Sequence, residues 1–105
     1  FLNCGIITLN CFVSPTAKIR SIAKNIIGNE NFIDIYVNAS LKKCEERDTK
    51  GLYKKARNGQ IANFTGINSP FEPPKNPGLE INTNNCSIDH SIEKVINFIM
   101  PIINQ

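Results

Sequence analysis

GIITLNCFVSPTAKIRSIAKNIIG, residues 5–28, opens an alternation of strand-like and helix-like segments, and its reading decides the fold class. Within it IITLNCFV, residues 6–13, is a mostly apolar and β-branched run entered from Gly5, the composition of a buried strand. Ser14 and Pro15 follow. Serine is a good helix cap and proline a good first helical residue, so the pair predicts a helix that runs to Gly28. Ile19, Ile22, Ile26 and Ile27 recur at helical spacing as its apolar face, with Lys18, Arg20 and Lys24 elsewhere on its surface. A second apolar run, from Phe32 to Val37 and ended by Asn38, reads as a short strand. Ser40 then caps a second helix carrying Leu41, Cys44 and Arg47. Strand, helix, strand, helix in this rhythm predicts an α/β fold, a parallel sheet with flanking crossover helices. Ligands gather at the carboxyl ends of strands in such sheets. Ser14, just past the first strand, and Lys50 with Phe64, beyond the second, are expected to converge there.

The next stretch, RDTKGLYKKARNGQIANFTG from Arg47 to Gly66, holds most of the charge asymmetry of the chain. Arg47, Lys50, Lys54, Lys55 and Arg57 face the single carboxylate of Asp48, while the whole 105-residue chain carries a formal net charge of only +3. A solvated basic face is the bland explanation of such a run. Two features argue for an anionic ligand. Gly51 and Gly59 let the backbone turn tightly or approach a ligand, and Phe64 sits in a polar Asn63-Phe64-Thr65-Gly66 turn beside the cations. Cations match phosphate or sulfate, and a ring offers a stacking face for a base. The helix expected from about Leu52 to Asn58 has only Leu52 and Ala56 to bury, so it should be mobile until a ligand pins it.

Beyond Gly66 the run GINSPFEPPKNPG contains Pro70, Pro73, Pro74 and Pro77, which forbid regular helix or central strand and predict an extended loop. Leu79 to Asn82 read as a short final strand. A last helix is predicted from about Ile88 to Met100, with Ile88, Ile92, Val95, Ile96 and Ile99 on one face and Pro101 as its stop. At 11.7 kDa the chain is one domain at most, with a modest core. No run approaches a membrane span and no signal peptide is recognisable, so a soluble, intracellular, cytoplasmic protein is expected. Cys4, Cys11, Cys44 and Cys86 are widely spaced and His90 stands alone, which predicts reduced, mostly buried thiols and no metal site. His90, at the start of the last helix, reads as structural. Three glycosylation-type sequons, at Asn38, Asn63 and Asn85, are what chance yields in an asparagine-rich chain.

KGLYKKARNGQIANFTGINSPFEPP, from Lys50 to Pro74, closely resembles the lid and following loop of adenylylsulfate kinases, which phosphorylate the 3′-hydroxyl of adenosine 5′-phosphosulfate (APS). FVSP, at Phe12 to Pro15, resembles the family's FISP segment, and CEERD, at Cys44 to Asp48, its CExRD segment. Order and spacing agree across nearly the whole chain. The resemblance implies the C-terminal part of a P-loop nucleoside triphosphate hydrolase-like kinase fold, with residues 1–105 as one portion of a single kinase domain and a lid at about 50–66. ATP would be the co-substrate and Mg²⁺ the metal, with no metal ligand expected in this chain.

Residue by residue, the resemblance implies APS contacts from Val13, Ser14, Lys50, Asn63 and Phe64, with the Phe64 ring on the adenine. The alternative for Phe64 is a core position. Asn63 is expected to act mainly through its backbone. Ser14 matches a serine that has been assigned as a phosphoenzyme residue, a catalytic role, although its context here is that of a cap and pocket residue, and in-line transfer needs no phosphoserine. Arg47 and Cys86 match positions near the adenine of ATP, and for Cys86 plain packing is the alternative. Lys54, Lys55 and Arg57 are lid cations.

Phosphoryl transfer also needs a phosphate-cradling loop, and no G-x-x-x-x-G-K-[ST] string occurs in the chain. In the family that loop, and an Asp-Gly-Asp-Asn segment near the 3′-hydroxyl, precede the FISP segment, whereas here Phe12 lies eleven residues from Phe1. The expectation is therefore the carboxyl-terminal half of the enzyme, with a catalytically dead relative as the rival reading. A homodimer or a fusion to a sulfurylase is compatible with either. A single-stranded nucleic-acid-binding module using Tyr53 and Phe64 as stacking platforms is a further alternative, weakened by the small net charge and the single basic cluster.

Overall fold

The computed structural model describes residues 1–104. Four α-helices and two strands follow one another as α1 (Ala17–Ile27), β1 (Ile35–Asn38), α2 (Leu41–Arg47), α3 (Leu52–Arg57), β2 (Leu79–Asn82) and α4 (Ile88–Ile103), with short 3₁₀ turns at Leu2–Cys4 and Asn29–Asn31. The strands pair in parallel, Ile35 opposite Leu79 through Asn38 opposite Asn82. Side chain and backbone groups lock both ends of this short ladder. At its start the Leu79 and Gly78 amides donate to the carbonyl and carboxylate of Asp34, at 3.2 and 3.0 Å. At its finish the Thr83 amide donates to the Asn38 carbonyl at 2.8 Å. Gly78 suits this close approach, because a Cβ would lie 3.0 Å from the Asp34 carbonyl oxygen, tighter than most side chains accept.

The α/β class and the parallel pairing are as the sequence predicts, and β2, α2 and α3 form where its patterns place them. Ser40 caps α2 by accepting from the Lys43 amide at 3.2 Å. Four expectations are corrected. Residues 6–13 form no strand: the sheet has two members, neither edge is taken by this run, and Leu9 and Phe12 are over 80% exposed. Apolar composition favours a strand, but the ladder hydrogen bonds need a partner. The first helix starts not at Ser14–Pro15 but after Thr16, whose extended backbone suits a cap and whose Oγ1 accepts from the Ile19 amide at 3.3 Å. Pro101 does not stop α4, which continues one turn to Ile103. So near a helix end a proline forfeits a single internal bond. The thiols are not buried: Cys4 and Cys11 are exposed, and Cys44 and Cys86 half-buried.

Among the described residues the only buried apolar side chains are Ala56 and Ile81, and none is fully buried. The apolar faces read on α1 and α4 form as faces but stay open, with Ile19, Ile22, Ile26, Ile88, Ile92 and Ile96 all exposed. The radius of gyration, 15.8 Å, exceeds the roughly 13 Å of a compact domain of this length. Exposed apolar surface of this extent should bind a hydrophobic dye in the native state, read as a fluorescence rise that is lost on unfolding. Denaturant titration should show Ile81→Ala costing about 2 to 5 kcal/mol. Ile88→Ala, on an open face, should stay within about 0.5 kcal/mol.

Candidate functional site

Asp48 builds the corner from which the site extends. Its amide donates to the Cys44 carbonyl at 3.1 Å and closes α2. Its two carboxylate oxygens then accept from the first amides of α3, Tyr53 at 3.0 Å and Lys54 at 3.1 Å. Between the two helices the chain turns through Gly51, whose left-handed φ of 68° favours glycine. Opposite the corner, the Glu45 carboxylate receives two bonds from Arg57, at 2.7 and 3.2 Å. α3 is thus tied to α2 at both ends. Arg57 serves this pair, whereas Lys54 and Lys55 stand exposed and without an ion pair among the described residues.

Phe64 is set by its own turn. Asn63 adopts a left-handed φ of 55°, the Asn68 side chain accepts the Phe64 amide, and the Phe64 carbonyl accepts the amides of Ile67, Asn68 and Ser69 at 3.1 Å each. Half-buried, the ring meets Tyr53 edge-on, with centroids 4.9 Å apart and planes at 74°. A cleft of about 290 Å³ opens at this corner, lined by Cys44, Arg47, Asp48, Lys50, Tyr53 and Phe64, with Thr49 and Leu52 beside them. Burial first, and then a hydrogen bond to Cys44, hold the Tyr53 phenol above its ordinary pKa, so it stays neutral in the cleft.

The structure therefore brings together Arg47, Lys50 and Phe64. Arg47 also reaches beyond the carboxyl ends of the strands, donating to the carbonyl and, at 3.1 Å, to the hydroxyl of Thr83. That places it on the loop after β2 that carries Cys86. Cys86 itself does not line the cleft, and its sulfur lies 4.0 Å from the Lys94 ammonium. Val13 and Ser14 lie elsewhere. Val13 is 65% exposed, and Ser14 is held by its carbonyl, which accepts from Arg20 Nη1 at 2.7 Å. Its φ of 42° is left-handed, which costs a non-glycine residue on the order of 1 kcal/mol. Convergence of Ser14 with Lys50 and Phe64 in one cleft is not found.

Sequence reasoning names Tyr53 beside Phe64 only as a stacking platform for nucleic acid, and it does not reach Asn68 as the holder of the Phe64 turn or Glu72 and Arg20 around Ser14. The asparagine four residues beyond the aromatic was the one available signal, since asparagine side chains bond local backbone. Among the described residues no three His, Cys, Asp or Glu side chains converge as a cation site. The cleft's only carboxylate, Asp48, is already bonded to the Tyr53 and Lys54 amides, so its lining does not fit Mg²⁺.

A parallel pair with a helical crossover, and cations with an aromatic ring gathered in one cleft of that crossover, place the chain in the α/β class. The Mycobacterium tuberculosis APS kinase, solved in complex with AMPPNP and APS, superposes with a TM-score of 0.86 at 39% identity, covering 92% of this chain and 57% of that one. The family model described as adenylylsulphate kinase matches residues 1–82, and the chain belongs to that family. It is 46% identical over all 105 residues to an adenylyl-sulfate kinase of Bacteroides thetaiotaomicron, covering 52% of it. Over 94 residues it is 54% identical to one of Halothermothrix orenii, covering 50% of that relative. The chain spans about half the length of the curated relatives it matches. No helix among the described residues is long and apolar enough to cross a membrane.

Asp48→Ala removes two amide partners of α3 at once and should cost about 1 to 2 kcal/mol of lid-helix stability, read as faster amide exchange at Tyr53 and Lys54. The ion pair across the corner sets a pH dependence. The hydrogen bond from Arg57 holds the Glu45 carboxyl below its ordinary range, so the pair's contribution is complete above that range and is lost as pH falls through the lowered value. Acid titration followed at the Arg57 Nε proton should show release of α3 from α2, and Glu45→Gln should abolish that titration.

Proposed function

We propose that this chain supplies the lid and the APS-contacting surface of an adenylylsulfate kinase. In this reading the enzyme transfers the γ-phosphate of ATP to the 3′-hydroxyl of APS and gives 3′-phosphoadenylylsulfate. One observation carries the proposal. Among the described residues, only Ser14 and Asn63 combine a side chain with a left-handed backbone, and both fall at positions the family resemblance assigns to APS. Strained backbone persists only where its surroundings impose it, and it concentrates at ligand sites. Phe64, next to Asn63, offers its ring for stacking on the adenine, and Lys50 offers charge to the phosphosulfate. Arg47, beyond the strand ends, offers a guanidinium plane to the purine of ATP. The chain's own residues bind, orient and exclude water. Transition-state charge on the transferred phosphoryl group also requires a backbone cradle.

The test joins this chain to the remaining portion of the Bacteroides thetaiotaomicron relative and assays APS-dependent ADP release. Phe64→Ala in that chimera should weaken APS by about 5- to 150-fold, the equivalent of roughly 1 to 3 kcal/mol of base stacking. ATP affinity should stay unchanged. Were Phe64 a core residue instead, the substitution would cost about 3 to 5 kcal/mol of stability and harm both substrates alike. Lys50→Ala should weaken APS in a salt-sensitive way with little change in melting temperature. Unchanged APS affinity in Phe64→Ala overturns the stacking role. Because its sequence holds no P-loop string, the 105-residue chain assayed by itself should show no turnover with ATP, Mg²⁺ and APS above a protein-free control.

A further inference from the structure

Arg20 joins three segments that are far apart in sequence. Its Nη1 donates to the Ser14 carbonyl at 2.7 Å and its Nη2 to the Glu72 carbonyl at 2.6 Å. The guanidinium lies 5.9 Å from the centroid of the Phe71 ring, which stacks in turn on Tyr36 of β1 with centroids 6.0 Å apart. Glu72 returns the connection. Its amide donates to the Pro15 carbonyl at 2.8 Å, and its carboxylate accepts the Ala17 amide at 3.1 Å. The Ser14–Pro15 backbone is therefore held by a guanidinium fork on one carbonyl and by a proline-stiffened loop on the next. None of Arg20, Phe71 or Glu72 lines the Lys50–Phe64 cleft.

We infer that Arg20 and Glu72 are positioning residues for APS, holding Ser14 in its left-handed turn and so fixing where Val13 and Ser14 meet the substrate. This rests on the APS-kinase reading proposed above. The fork explains the choice of arginine: two carbonyls at 2.7 and 2.6 Å need two N–H groups in one plane, which an ammonium does not provide. Glu72 supports the helix start at Thr16, since its carboxylate satisfies the Ala17 amide, which has no acceptor within the helix. Neither side chain needs to touch the substrate, because Arg20 acts through the Ser14 and Glu72 carbonyls and the Glu72 carboxylate through the Ala17 amide.

Two measurements test the inference separately from the reading it rests on. The first is amide exchange by mass spectrometry on the 105-residue chain, comparing wild type with Arg20→Lys in peptides covering residues 12–18 and 70–76. Exchange in both should rise by roughly tenfold, as expected for loss of a charge-assisted hydrogen bond. Unchanged exchange overturns the clamp. The second is steady-state kinetics in the chimera described above. Arg20→Lys should raise the KM for APS by about tenfold while leaving the KM for ATP alone, and Glu72→Gln, which keeps an acceptor oxygen for Ala17, should lie closer to wild type than Glu72→Ala. A merely structural role would move both Michaelis constants together, or neither, along with the melting temperature, and that result overturns positioning. A wild-type chimera that does not turn over APS overturns the functional reading and, with it, the positioning role toward APS, while the exchange measurement still decides whether the clamp exists.

Discussion

Four residues of parallel ladder, Ile35–Asn38 against Leu79–Asn82, hold together everything else described in this chain. Parallel strands cannot be joined by a tight turn, so the chain between them must leave one end of the sheet and return to the other. Here that crossover contains α2, α3, the Phe64 turn and the proline-rich loop, and the candidate cleft lies entirely within it. Asp34 at one end of the ladder and Thr83 at the other fix the two points where the crossover begins and ends. Thr83 also receives Arg47, which couples the end of α2 to the sheet. With Ile81 as the only buried strand residue, this ladder rests more on hydrogen bonds than on packing.

What could be read from the sequence divides by the range of the interaction. Ser40 and Ser87 cap α2 and α4 through bonds to residues three positions on, and both helices begin where their patterns say. The strand Leu79–Asn82 is bounded by a proline-rich loop before it and polar residues after it, and its limits agree with the reading. Ser14 looked like a cap by the same local criteria and is not one. The residue that caps instead is Thr16, two positions on, and the carboxylate that accepts the next amide comes from Glu72, 55 residues away and outside any local window. Residues 6–13 failed for a related reason, since periodicity reports a tendency to be buried but says nothing of which strand edge would receive the run.

The candidate site was legible in part, on the same terms. Lys50 and Phe64 stand out because a basic run and an aromatic in a polar turn are visible in one short stretch, and both line the cleft. Tyr53 lies within that stretch, yet its edge-on meeting with Phe64 depends on α3 folding back toward the turn. Arg20 was placed among surface cations by helical spacing, which is correct about the helix and silent about Phe71 and Glu72 across the fold. Arg57 was grouped with the other lid cations, whereas its partner on α2 lies twelve residues earlier in the chain.

The corner at Asp48 has a consequence for which amino acid can stand there. One residue ends α2 with its amide and begins α3 with both carboxylate oxygens. Asparagine would present one oxygen and one NH₂ group, so one of the two α3 amides would face a donor in place of an acceptor. Glutamate carries the same two oxygens on a longer arm, set one methylene further from the backbone that closes α2. The joint thus behaves as a pivot with a fixed arm length. The spacing between the end of α2 and the Tyr53 and Lys54 amides is therefore set by the length of this one side chain, a single carbon–carbon bond beyond its Cα–Cβ.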